Sequence, residues 1–301
     1  QEVSQAFDMY WNSAVAVPIQ ALVDTPKDPQ ELAQIRQRFD AQAAAAKQTQ
    51  YRAAFDSSLA EALEFRRESL TWVQWTLVVD PPEKAQAGFE ARRSEQLTAQ
   101  LRPTADAAQS EFVLMSPYFV PQDRGVEWLR GMRQRGLRVV VVTNSLSSTD
   151  VSPVHAGYSG SRKTLLEAGV ELWEIRDDPT RRDRERRGLG HSASSLHTKA
   201  FAVDRRYLFV GSFNFDPRSV DINTEMGIVV DSPSLATPAV ERLLQVLPTQ
   251  AYRLRLDGDG DIEWVALENN TEVIYRTEPH TSFWKRLQVG FLRLLPIEEQ
   301  L

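Results

Sequence analysis

Residues 195–225 read SLHTKAFAVDRRYLFVGSFNFDPRSVDINTE, and this stretch decides the fold class of the 301-residue chain. Its apolar residues predict two strands, 196–203 and 207–211, joined at a turn on Asp204-Arg205-Arg206. Alternate residues of a strand share a face, which puts His197 and Lys199 on one side, roughly 6–7 Å apart along the backbone. A lysine ammonium inside an apolar strand is costly to bury unless an anion meets it. A phosphate beside His197 would satisfy Lys199 and bring the imidazole against phosphorus, which is the pattern of phosphoryl transfer without a metal. Ser212 and Asn214 follow at short range and can donate to phosphate oxygens. Glu225 opens a further apolar strand, 226–230. A carboxylate there is expected to accept from one imidazole nitrogen and free the other for chemistry.

Outward from this segment, short apolar runs alternate with helical patterns. Strands are expected at 72–79, 112–116, 137–143 and 172–175, with helices at 88–108, 123–135 and 161–168 between them. After the central segment come a helix near 235–247, a polar hairpin at 251–276 and a terminal helix. This order predicts an α/β fold, a mixed sheet flanked by helices on both faces. Residues 1–17 form a leading amphipathic helix with Val3, Phe7, Tyr10 and Trp11. An Ala-, Gln- and Arg-rich helical connection spans 18–70, and the main domain spans 71–301.

The H-x-K-x4-D run at His197, Lys199 and Asp204, followed by G-S-x-N at Gly211, Ser212 and Asn214, resembles the signature of the phospholipase D superfamily. The Asp-Pro-Arg-Ser at 216–219 and Asn-Thr-Glu at 223–225 resemble its bacterial cardiolipin synthase branch, C type. So do Ser116-Pro117-Tyr118-Phe119-Val120-Pro121, His155-Ala156-Gly157-Tyr158 and Phe283-Trp284. The resemblance implies a phospholipase D-like sandwich that transfers a phosphatidyl group between phospholipids through a phosphohistidine. It implies His197 as acid/base, Lys199, Ser212 and Asn214 around the phosphate oxygens, Asp204 at the turn and Glu225 as orienter of the imidazole. The implied substrates are phosphatidylglycerol and phosphatidylethanolamine at the bacterial inner membrane, peripherally or on its cytoplasmic face, with no cofactor and no metal. Members of this kind build one site from two motifs. Here His155, His191 and His280 are followed at the next-but-one position by Gly, Ala and Ser. The expectation is therefore a C-terminal part of a longer protein, with residues 1–17 left from a first half that carries the other motif. A hydrolytic phospholipase, a nuclease and a silent structural or membrane-docking half are the rival readings.

The net charge of −6 creates no field that would draw in nucleic acid or an anionic membrane, so such contacts must be local. The chain has no cysteine and hence neither disulfides nor thiolate metal sites. Residues 176–187 read as a solvated Arg-rich loop, and His191 as a loop histidine. Asp257-Gly258-Asp259-Gly260-Asp261 lacks the later ligands of a calcium loop and reads as a hairpin turn. Tyr118 and Phe119 are candidates for the cleft wall or the core. The terminal helix carries Trp284, Leu287, Phe291, Leu294 and Leu295 as one stripe, expected to dock on its own domain, with a membrane interface as the alternative.

Overall fold

A computed structural model describes residues 1–23, 29–47, 71–86, 96–177 and 196–293. The chain forms two compact units, one of residues 1–13 with 74–301 and the other of residues 14–73. The smaller unit contains helix α2 (Pro29–Ala46). The larger unit begins with α1 (Glu2–Trp11), whose Tyr10 hydroxyl donates to the Asp80 carbonyl at 2.7 Å. Residues 1–13 thus pack as part of the larger unit.

That domain is built on strands β1 (Gln74–Val79), β2 (Glu111–Met115), β3 (Arg138–Asn144), β4 (Glu171–Ile175), β5 (Lys199–Val203), β6 (Tyr207–Gly211), β7 (Met226–Asp231), β8 (Ala251–Leu256), β9 (Ile262–Glu268) and β10 (Thr271–Tyr275). Its helices are α3 (Leu97–Asp106), α4 (Gln122–Gln134), α5 (Ser152–Glu167), α6 (Pro217–Asp221), α7 (Pro233–Gln250) and α8 (Phe283–Leu292). The sheet order is β1-β7-β6-β5-β2-β3-β4-β8-β9-β10. The pairs β2–β3 and β3–β4 are parallel because α4 and α5 carry the chain back over the sheet, and the other pairs are antiparallel. This is the mixed α/β sheet that the sequence pattern predicts.

Alternation along the strands produces two cores. Phe112, Leu114, Val139, Val141, Phe201, Val203 and Phe209 face one side with Leu101, Leu129, Tyr158 and Leu165 of the helices α3, α4 and α5. Val113, Val140, Val142 and Ala202 face the other side, under Val240 and Leu247 of α7. Lys199 has the parity of Phe201 and so belongs to the first face. At the end of β6, Gly211 sits opposite Gly227, and a Cβ on Gly211 would lie 2.7 Å from the Phe209 ring and 2.4 Å from the Met226 carbonyl oxygen. Glycine there lets the Phe209 ring lie flat beneath the strand ends where His197 and Lys199 emerge.

Several boundaries differ from the sequence pattern. Ladder pairing of β5 starts at Lys199, so His197 lies just outside the strand. Helix α5 begins at Ser152 rather than near 161, because Pro153 suits a first helical turn and Gly157 and Gly160 do not interrupt it. The segment at 251–276 is three strands. Its Asp257–Asp261 turn closes with the Asp257 carboxylate accepting from the backbone N–H of Asp259 and of Asp261, at 3.0 and 2.9 Å. The Arg-rich stretch beyond Asp177, His191, the helical region beyond Lys47 and the pair Leu294–Leu295 lie outside the described residues.

The stripe on α8 is turned the other way from the docking expectation. Phe283, Trp284, Leu287 and Phe291 are 62, 74, 52 and 62 % exposed, and Val289 is the buried residue. The helix sits by its other flank, where Val289 and Leu292 pack on Leu146 and Ala156. Among the described residues no helix is long and apolar enough to cross a membrane.

Candidate active site

The parallel strands β2 and β3 and the antiparallel hairpin β5–β6 bring their ends to one edge of the sheet. There Lys199 Nζ lies 3.5 Å from both ring nitrogens of His197 and donates to the His197 carbonyl at 3.0 Å. The ammonium and the imidazole therefore share one spot, as the strand spacing predicts. His197 is exposed and Lys199 half-buried. Burial lowers the Lys199 pKa below the ordinary lysine value, and the charges of Glu225, Asp216 and Asp150 work against that shift. An ammonium with three carboxylates near it but no ion pair to any of them is poised to take up an anion.

The loop before His197 is pinned by β3. Asn144, the last residue of that strand, accepts from Leu196 N–H at 2.9 Å and donates to the Leu196 carbonyl at 3.1 Å. The segment after β6 is pinned by the Ser-Pro-Tyr-Phe run. Ser116 Oγ accepts from Phe215 N–H at 2.9 Å, and Val120 N–H donates to the Phe215 carbonyl at 2.8 Å. Phe119 is core, packed on Tyr158 and Phe215, which resolves its two readings. The Tyr118 hydroxyl meets Asp150 at 3.0 and 3.1 Å, and burial together with that carboxylate pushes its pKa up to about 12.

Ser212 and Asn214 lie on this edge, as expected. Ser212 Oγ donates to Glu225 Oε2 and accepts from Met226 N–H at 3.0 Å. Asn214 is buried, and its Oδ1 has no hydrogen-bond partner. A buried amide oxygen without a donor costs free energy. It is therefore a place where a donor from a ligand would be welcomed.

Glu225 does not do what the sequence reading assigns it. Both its oxygens are engaged, Oε2 with Ser212 and Oε1 with the Ser219 hydroxyl at 2.8 Å, and no hydrogen bond joins it to the His197 ring. Its backbone N–H donates to Asp80 Oδ2 at 2.9 Å. Buried and held by two hydroxyls, the carboxylate fixes the Ser212 hydroxyl and leaves the exposed imidazole alone.

Asp204 is likewise placed away from the chemistry. It stands at the opposite end of β5, five residues from Lys199, which is about 16 Å of extended strand. Asp204 and Arg205 adopt φ of 51° and 52°, the left-handed pair of a type I′ turn. The Asp204 carboxylate accepts from the N–H groups of Gln109, Ser110 and Glu111 at 2.8–2.9 Å and from the Ser110 hydroxyl at 2.7 Å. Its partial burial raises its pKa, and these donors outweigh that and hold it below the ordinary value. Asp204 thus ties the hairpin to the start of β2, a structural role that the motif spacing alone does not distinguish from catalysis.

Residues the sequence reading missed hold the site from behind. The carboxylate of Asp80, fully buried, accepts from Lys84 Nζ, from Leu97 N–H and from Glu225 N–H at 2.8–2.9 Å. Lys84 also donates to the Ser219 carbonyl at 2.8 Å. Asp216 caps α6 by accepting from Ser219 N–H at 2.7 Å, an Asp-x-x-Ser pattern that was legible as a helix start. Asp80 had only its place before Pro81-Pro82 to mark it.

Residues 101–247 match the family described as "Cardiolipin synthase, PLD-like domain". Over that stretch the chain is similar to a phospholipase D-like domain. It is 36% identical to cardiolipin synthase C of Escherichia coli strain K12 over 306 aligned positions, 99% of this chain and 63% of that protein, so the chain spans under two thirds of this relative. Among solved structures it is similar to phosphatidylserine synthase of Haemophilus influenzae Rd KW20, with 18% identity over 77% of this chain and 49% of that one and a TM-score of 0.47. It is also similar to Nuc of Salmonella typhimurium, a phospholipase D family member, with 20% identity over 60% of this chain and 99% of that one and a TM-score of 0.44.

Proposed function

We propose that this chain supplies one half of the active site of a phosphatidyltransferase that joins phospholipids into cardiolipin. The observation that carries the reading is the convergence of Lys199 Nζ on the His197 ring at the edge that also bears Ser212 and Asn214. The identity to cardiolipin synthase C along the whole chain supports the lipid class. In the reaction one histidine attacks phosphorus and the first alcohol leaves with a proton from a second histidine. The incoming lipid hydroxyl then gives up its proton to that same base and attacks the phosphorus of the phosphohistidine, breaking the P–N bond and releasing the first histidine. Lys199 neutralises the non-bridging oxygens as charge builds in the transition state. Ser212 can join it once its hydroxyl turns from Glu225.

One histidine cannot be both nucleophile and leaving-group acid, so a second motif-bearing half completes the site. The sheet offers a surface for it. Trp75, Val210, Met226 and Ile228 are 44, 45, 46 and 38 % exposed on the face that α7 leaves open, and Met226 is the neighbour of Ser212. The substrates are phosphatidylglycerol and phosphatidylethanolamine, and the enzyme works as a peripheral protein at the inner membrane.

The test is product analysis with the full-length protein and phosphatidylglycerol vesicles, with and without phosphatidylethanolamine. Cardiolipin is expected, together with little or no turnover by the 301-residue chain alone. Phosphatidic acid as sole product would reassign the enzyme as a hydrolase, and cleavage of DNA or RNA without lipid turnover would reassign it as a nuclease.

A further inference from the structure

Helix α8 presents an apolar face to solvent and is tied by Lys285 to Leu146, just beyond β3. Residues 283, 284, 287 and 291 recur at helical spacing, and Phe283 and Trp284 stack edge to face with ring centroids 5.6 Å apart. Large exposed apolar patches on a folded domain mark interaction sites. Between Ser282 and Arg293 there are three cations, Lys285, Arg286 and Arg293, and no carboxylate, in a chain whose net charge is −6. Arg293 is exposed at the helix end, whereas Arg286 lines a cleft with Asp257, Asp259, Asp261 and Glu278; the charge complement of the exposed cation is an anionic surface.

The helix is also held rigidly. Ser282 caps it by accepting from Lys285 N–H at 3.1 Å, and Arg286 donates to the Thr281 carbonyl at 2.6 Å. Lys285 Nζ donates to the Leu146 carbonyl at 2.6 Å. Leu146 lies two residues beyond Asn144, which holds both main-chain groups of Leu196 next to His197. Lys285 thus ties α8 to the segment just beyond β3, whose Asn144 holds Leu196 next to His197.

We infer that α8 is an interfacial anchor, laying Phe283, Trp284, Leu287 and Phe291 into an anionic phospholipid surface with the exposed Arg293 at the headgroups. Tryptophan and phenylalanine with basic neighbours suit the headgroup–acyl boundary, where such a helix sinks roughly 5–10 Å. The inference gives the proposed peripheral attachment its surface and rests on the lipid-substrate reading only for that consequence.

The test is flotation of the 301-residue chain with vesicles of equimolar phosphatidylcholine and phosphatidylglycerol, and with phosphatidylcholine alone. Binding is expected to the anionic vesicles and to be much weaker to the neutral ones. The double variant Trp284→Ser, Phe291→Ser alters only exposed side chains, should keep its circular dichroism, and should bind at least about tenfold more weakly. Arg293→Gln should bind about fivefold more weakly. Equal binding by the double variant, no binding by the unaltered chain, or a dimer that the double variant dissolves without any vesicle binding would each overturn the anchor. Turnover of a short-chain, water-soluble phospholipid by the full-length protein separates the two readings. A double variant that keeps this turnover but loses vesicles supports the anchor, and vesicle binding through α8 without phosphatidyl transfer leaves the anchor standing while the proposed activity falls.

Discussion

Two clusters in this domain hold a histidine, a strong cation and carboxylates, and they could hardly be treated more differently. At the sheet edge His197 is exposed, with Lys199 as its polar neighbour and Asn214 Oδ1 left unpaired. Under the sheet, His155 is buried beside Arg162, whose Nη2 is 2.8 Å from the ring Nε2. Arg162 reaches Glu174 at 2.8 Å and also pairs with Glu278, and Glu174 accepts from the Trp264 indole at 2.9 Å. The guanidinium lies over the Tyr158 ring at 4.8 Å. The buried cluster pairs its charges inside the protein, although Tyr158 OH and Glu278 Oε2 stay without a partner, whereas the edge cluster turns its histidine to solvent. Residue types alone do not separate two such histidines; solvent access does.

The sharpest break in the comparison should come from the two cations and histidines themselves. His197→Ala in the full-length enzyme should lower kcat about 10²–10⁴-fold, with the melting temperature unchanged, because proton transfer is lost and no packing is. Steady-state kinetics beside calorimetry checks both halves of that statement. Arg162→Met should show the converse, a stability loss of about 3–5 kcal/mol by denaturant titration, since it strands the carboxylates of Glu174 and Glu278 in the interior. A refolded Arg162→Met protein is expected to keep the His197–Lys199 arrangement.

A smaller effect tests the turn. Asp204→Ala removes an acceptor for four donors around the start of β2 and should cost about 1–3 kcal/mol of stability. If Asp204 acted in the chemistry, kcat would instead fall at temperatures where the variant is fully folded. A further effect is in acid. Burial works against the charge on Glu278, but Arg162 and His155 hold its pKa at about 2, below the ordinary 4.5. A depressed carboxyl adds stability that is present at neutral pH and is lost as pH falls from 4.5 through about 2. Glu278→Gln should therefore flatten the stability–pH curve in that window and leave the edge cluster untouched.

Much of this was readable from the chain. The alternation around residues 196–211 put His197 and Lys199 on one side, and that holds because strand geometry is local. The alternation of strands with helices set a mixed sheet covered on two faces. Glu225 was misassigned because the donors to its carboxylate, Ser219 and Ser212, are 6 and 13 residues away, and a carboxylate joins whichever donor the packing brings nearest. The α8 stripe was legible as amphipathic, but its outward direction was not, since Val289 and Leu292 found Leu146 and Ala156 first. The sequence by itself determined which residues could carry phosphoryl chemistry and on which strands they stand, because period and turn chemistry act over a few residues. Only the tertiary structure decided which of them meet, which are saturated and which face solvent. Those outcomes depend on long-range packing that no local pattern encodes.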